Sequence, residues 1–168
     1  MDRPVKKQKK RPTIQKKKKL CMDAALTYLG TRMRSEYEMR SYLQKKQYRE
    51  DEIEQTIERL KGYGYIDDLA FAKEMIRCKT AIRPMGKRAL HYALYKAGVD
   101  KDTIEEGLAA YPDKAEQEAC DVLCEKLMLK NGTDRQGLAK TQRALAARGF
   151  GYEMVSKAMQ KRSGIEWE

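Results

Sequence analysis

Asp67 and Asp68 are the first residues in this chain whose pairing invites a chemical reading, since two adjacent carboxylates can hold a divalent ion against a phosphodiester. An N-cap followed by a first-turn acid explains them more simply, because the apolar residues Leu69, Phe71 and Ala72 follow at helical spacing. Cys120 and Cys124 stand one helical turn apart, but no further ligand-type residues cluster around them. With Cys21 and Cys78 they read as small core residues of a protein kept in a reducing cytoplasm. The single histidine, His91, lies in a basic stretch without the serine and acid that a nucleophilic triad requires. No glycine-rich phosphate loop follows a strand, because nothing reads as a strand. The sequence therefore assigns no catalytic residue, no metal ligand and no cofactor, and the expectation is a protein that is not an enzyme.

Charge carries more information. The formal net charge is +11, but residues 1–19 hold ten Lys or Arg against one Asp, and the other 149 residues are close to balance. That first segment also contains Pro4 and Pro12 and has almost nothing to bury, so its composition predicts a disordered basic tail. Within the rest, charge sorts by position. From Met75 to Val99 there is no acid, while Arg83, Lys87, Arg88 and Lys96 are basic. From Arg135 to Tyr152 there is again none, and Arg135, Lys140, Arg143 and Arg148 stand there. An earlier segment, with Arg32, Arg34, Arg40, Lys45 and Lys46, is a weaker version. These eight cations of the later segments are the candidate contacts to DNA phosphates or to carboxylates of a partner. Glu50, Asp51, Glu52, Glu54 and Glu58, and likewise Asp100, Asp102, Glu105 and Glu106, make opposite, acidic runs.

The elements that must position these residues repeat. Leu43, Leu94 and Leu145 are spaced 51 residues apart, and so are Tyr48, Val99 and Phe150; Ile53, Ile104 and Val155; and Ile57, Leu108 and Met159. Gly98 and Gly149 share the period, with Gln47 in the first copy, where the turn is expected to stop differently. A period of this size means one supersecondary unit repeated, each burying its apolar face against the next. Helix signals dominate. The first helix is predicted from Leu20 to Met33, with Cys21, Ala25, Leu26, Tyr28 and Leu29 on its apolar face. Ser35-x-x-Glu38, Asp113-x-x-Glu116 and Thr133-x-x-Gln136 have the form of capping signals. Asp67 or Asp68 and Asp100 serve as N-caps, and Pro84 is placed in a first helical turn. The expected fold is all-α: three tandem three-helix repeats forming an elongated, curved array, over 20–66, 67–112 and 113–162, between the tail 1–19 and a C-terminal tail 163–168. The basic runs then fall on the middle helices as a ridge and the acidic runs on the third helices as a flank. Tyr37, Tyr63, Tyr92, Tyr95 and Tyr152 read equally as core or surface. No apolar run is long enough to span a membrane, and the basic start is followed by no apolar signal core.

Gly62-Tyr63-Gly64-Tyr65-Ile66-Asp67-Asp68-Leu69-Ala70-Phe71-Ala72 resembles the segment that joins the first and second repeats of RecX proteins. Arg83-Pro84-Met85-Gly86-Lys87-Arg88-Ala89-Leu90, Leu94-Tyr95-Lys96-Ala97-Gly98-Val99-Asp100 and Leu145-Ala146-Ala147-Arg148-Gly149-Phe150 resemble later phrases of the same family, in the same order. The resemblance implies a cytoplasmic, non-enzymatic regulator that binds the RecA recombinase and its DNA filament; the chain itself is expected to be a monomer. It implies that this regulator limits filament growth, strand exchange and coprotease activity in DNA repair and the SOS response. The family brings no catalytic residues, and the lysine-rich tail is not part of its signature. Three-helix units with basic middle helices also resemble helix-turn-helix modules, so a stand-alone DNA-binding protein is the alternative.

Overall fold

A computed structural model describes residues 19–163, and the expectations for residues 1–18 and 164–168 lie outside the described residues. Nine helices and no strand occur among them: α1 (Cys21–Leu29), α2 (Glu36–Lys45), α3 (Glu50–Gly62), α4 (Asp68–Ile82), α5 (Lys87–Lys96), α6 (Lys101–Ala109), α7 (Asp113–Asn131), α8 (Arg135–Ala147) and α9 (Tyr152–Ser163). They form three triplets, and the all-α tandem-repeat expectation holds.

Local chemistry sets the boundaries. Asp67 accepts from the Ala70 amide at 2.9 Å, and Asp100 from that of Thr103 at 3.0 Å, so each carboxylate satisfies a donor the helix itself leaves unpaired. Several boundaries differ from expectation. α1 stops at Leu29, with Gly30 as its C-cap, four residues short of Met33. Pro84 lies in the extended approach to α5, whose N-cap is Gly86, because a residue before proline, here Arg83, is pushed out of helical backbone. Asp134, not Thr133, caps α8 through the Gly137 amide. Ser35 accepts from Glu38, but the Glu38 carboxylate turns to Arg32, so only half of that capping box forms. The 113–116 box does not form: Pro112 is the N-cap of α7, and Glu116 reaches elsewhere.

The periodic columns are the core. Leu43, Leu94 and Leu145 are fully buried, and Ile53, Ile104 and Val155 nearly so. The packing corrects one expectation. The buried residues divide into three clusters, one per repeat, so each triplet closes its own core and does not share one with its neighbour. On α1 the buried residues are Cys21, Ala24 and Ala25, while Leu26 is exposed.

Candidate partner-binding surface

On α5, Leu90 and Leu94 face the core. At 100° per residue, the opposite half of the helix carries Arg88, Tyr92, Tyr95 and Lys96, and all four are exposed. The Lys96 ammonium lies 5.6 Å from the centre of the Tyr92 ring. On α8, Gly137, Leu138, Thr141 and Leu145 are buried, and the solvent half carries Arg135, Lys140 and Arg143. Arg83 is exposed at the end of α4. None of these six cations has a carboxylate partner among the described residues. The other two candidates are placed differently. Lys87 is half-buried and ion-paired with Asp113 of α7. Arg148, the C-cap of α8, is half-buried, and its carbonyl accepts from the Gly86 amide at 2.9 Å. Both belong to the junction between the second and third repeats. The five tyrosines that the sequence left undecided are all exposed, and Tyr92 and Tyr95 belong to the α5 surface. Their spacing opposite Leu90 and Leu94 was the signal that marks them.

The first repeat contributes less positive charge than its sequence suggests. Arg40 is held by Glu36, Glu50 and Glu54, and Arg32 by Glu38 at 2.7 Å. Arg34 stacks 3.9 Å above the Tyr28 ring, which itself stacks on Tyr42. The acidic flank on α3 is thus partly spent on its own middle helix. Lys45 and Lys46 at the end of α2 are exposed without a carboxylate partner among the described residues, but most of the uncompensated candidate cations stand on repeats two and three.

The middle helices meet end to end. Ser35, the N-cap of α2, donates its hydroxyl to the carbonyl of Ala97, the C-cap of α5, at 2.5 Å. Gly86, the N-cap of α5, makes the equivalent bond to Arg148, the C-cap of α8. Both partners are displaced by the same 51-residue period. The approach is close enough that a Cβ at Gly98 would lie 2.2 Å from the Tyr37 ring, and one at Gly149 would lie 2.3 Å from the Ala89 nitrogen. Gln47, at the same position in the first repeat, adopts φ 60°, against 78° and 85° for the two glycines. The first unit therefore stops as the others do, contrary to expectation. The Gln47 side chain is exposed.

Asp67 and Asp68 do not act as a pair. Asp67 caps α4, while Asp68 accepts from the Glu36 amide at 2.8 Å, at the start of α2 in the preceding repeat. Burial raises the Asp68 pKa, opposed by that backbone hydrogen bond. No cluster of three His, Cys, Asp or Glu residues with metal-binding geometry occurs among the described residues. Burial pushes the Cys120 thiol up to about 12 and also raises that of Cys124, as expected of core thiols, and Cys21 is buried too; Cys78, contrary to expectation, is exposed on the solvent side of α4.

Each triplet matches a family model in turn: the first, second and third three-helix domains of RecX, over residues 21–60, 67–108 and 115–159. The chain belongs to the RecX family. It is 30% identical over 140 residues to the regulatory protein RecX of Prosthecochloris aestuarii, covering 83% of this chain and 91% of that one. It is 32% identical over 139 residues to that of Bacillus pumilus, where 82% of this chain spans only 53% of the relative. The crystal structure of RecX from Lactobacillus salivarius superposes with a TM-score of 0.78 at 27% identity, covering 86% of this chain and 96% of that one. A second crystal structure of a regulatory protein RecX shares the fold, with a TM-score of 0.73 at 23% identity, covering 86% and 70%. Membership places the chain among regulatory proteins. No helix of the described residues is long and apolar enough to cross a membrane.

Proposed function

We propose that the chain is a non-enzymatic regulator that binds the RecA recombinase and RecA–DNA filaments. In this reading it limits filament extension, strand exchange and coprotease activity in DNA repair and the SOS response, acting as a cytoplasmic monomer. The observation that carries it is the set of uncompensated cations, Arg88 and Lys96 on α5 and Arg135, Lys140 and Arg143 on α8. They occupy the solvent halves of two helices joined end to end, beside the exposed Tyr92 and Tyr95. A surface of this composition suits an acidic protein groove or the DNA within it, since tyrosine and arginine are enriched among the few residues that dominate binding energy at protein interfaces, and positive charge complements an acidic partner.

The deciding comparison is binding to bare DNA against binding to RecA-coated DNA at matched salt, with suppression of filament ATP hydrolysis as the activity readout. Preference for the coated form, with suppression, supports the reading. Equal binding to both would make the chain a stand-alone DNA-binding protein. Arg88→Glu with Arg143→Glu should leave folding nearly intact, because exposed charges contribute little to stability, and should weaken suppression. If bare phosphates were the target, each lost contact would flatten the log–log salt dependence by about one unit. A folded double variant that suppresses at wild-type concentrations would overturn the assignment of this face. Lys87 is a poorer choice for such a test, since reversing it would set a carboxylate against Asp113.

A further inference from the structure

The repeats have separate cores, so something other than a shared apolar interior must fix one middle helix relative to the next. Across both junctions one carboxylate performs the same act. Asp68, at the first position of α4, accepts from the amide of Glu36, the first residue of α2. Glu116, one turn into α7, accepts from the amide of Lys87, the first residue of α5, at 2.7 Å. Glu116 is only 3 % exposed. In each case the first helix of one repeat clamps the start of the middle helix of the repeat before it, where a carboxylate oxygen satisfies a first-turn amide that the helix itself leaves unpaired. The other side of each junction is the N-cap to C-cap hydrogen bond from Ser35 or Gly86. The Lys87–Asp113 ion pair adds to the second junction.

We infer that Asp68 and Glu116 are positioning residues: they hold α2, α5 and α8 in a fixed line, and so turn separate helix faces into one continuous binding surface. Neither contacts a partner itself. The consequence for binding rests on the proposed function above; the clamp does not. Several modest contacts held at fixed spacing bind far more tightly than the same contacts on loosely jointed units, because each engagement raises the effective concentration of the next.

The test has a partner-free arm and a binding arm, both on the full chain. In amide hydrogen exchange, the Glu36 and Lys87 amides of the wild type should be protected, although first-turn amides ordinarily exchange freely. Asp68→Ala should remove protection at Glu36 alone, and Glu116→Ala at Lys87 alone, each by about tenfold or more, with the amides of Leu43, Leu94 and Leu145 unchanged. Loss across all amides would mean a merely structural role. Asp68→Asn and Glu116→Gln keep a side-chain oxygen as acceptor and should restore protection. Small-angle scattering of the double alanine variant should show a broader distribution of dimensions than the wild type. Unprotected Glu36 and Lys87 amides in the wild type, or unchanged scattering, would overturn the inference. In the binding arm, the double alanine variant should bind RecA-coated DNA about tenfold or more weakly, and the Asn and Gln variants nearly normally. Wild-type binding by the double alanine variant would show that the clamps do not position the surface. Failure of the wild type itself to bind coated DNA would count against the proposed function, leaving exchange and scattering to decide the clamp.

Discussion

Gln47 and Gly98 occupy one backbone position in two repeats and illustrate how differently the same conformation can be tolerated. Both are left-handed, which costs a residue bearing a Cβ roughly 1–2 kcal/mol. Gln47→Gly should therefore stabilise the protein by up to about 1 kcal/mol, read as a shift in the urea midpoint. Gly98→Gln should be much worse than the backbone term alone, because its Cβ would collide with Tyr37. Equal and opposite effects would mean that the repeat junction is looser than it stands here. Buried Leu94 gives a second residue-scale expectation. Leu94→Ala should cost about 2–5 kcal/mol by loss of contacts and creation of a cavity, whereas Leu26→Ala, at an exposed site, should be nearly silent.

Between α2 and α3, the Glu36 carboxylate is held below its ordinary value, first by the Lys61 ammonium at 2.6 Å and then by Arg40. A carboxyl with a lowered folded-state pKa adds stability that is fully present above its unfolded value, near 4.5, and is lost as pH falls through the folded value. Asp68 works the other way: burial raises its pKa, so its ionisation costs stability as pH rises through the range above 3.8. Acid titration should therefore destabilise repeat one below about pH 4.5 through the Glu36 network, with Asp68 offsetting part of the loss. Glu36→Gln should shallow this acid limb in urea midpoints taken from pH 6 to pH 3. A limb as steep as that of the wild type would remove Glu36 from the account. The ion pairs explain why Arg40 of α2 adds nothing to the ridge, since it faces Glu50 and Glu54 of α3.

Across the whole molecule, three separately cored triplets joined through helix ends make a modular chain. Its surface can be lengthened or reshaped one repeat at a time, with stability approximated by repeat and junction contributions. The uncompensated charge concentrates on repeats two and three. Reversing Lys140 with Arg143 should consequently weaken binding to RecA-coated DNA more than reversing Lys45 with Lys46, at equal change in net charge. Equal losses in a titration of the two double variants would indicate a response to overall charge and not to a located face.

The sequence by itself determined the helices, their triplet grouping and the core columns, because the 51-residue period and the apolar spacing are local records of burial. It also placed the cations by helix, since acids are simply missing from 75–99 and 135–152. Tertiary structure alone decided which cations are spent. Arg40 and Lys87 look like Arg88 and Lys140 in sequence, and only the approach of Glu54 or Asp113 from another helix separates them. It likewise decided the roles of Asp68 and Glu116. Each reads as a cap for its own helix, yet each caps the middle helix of the repeat before, 32 and 29 residues away. They stand 48 residues apart, outside the 51-residue register, so the repeat that reveals the core conceals the clamp.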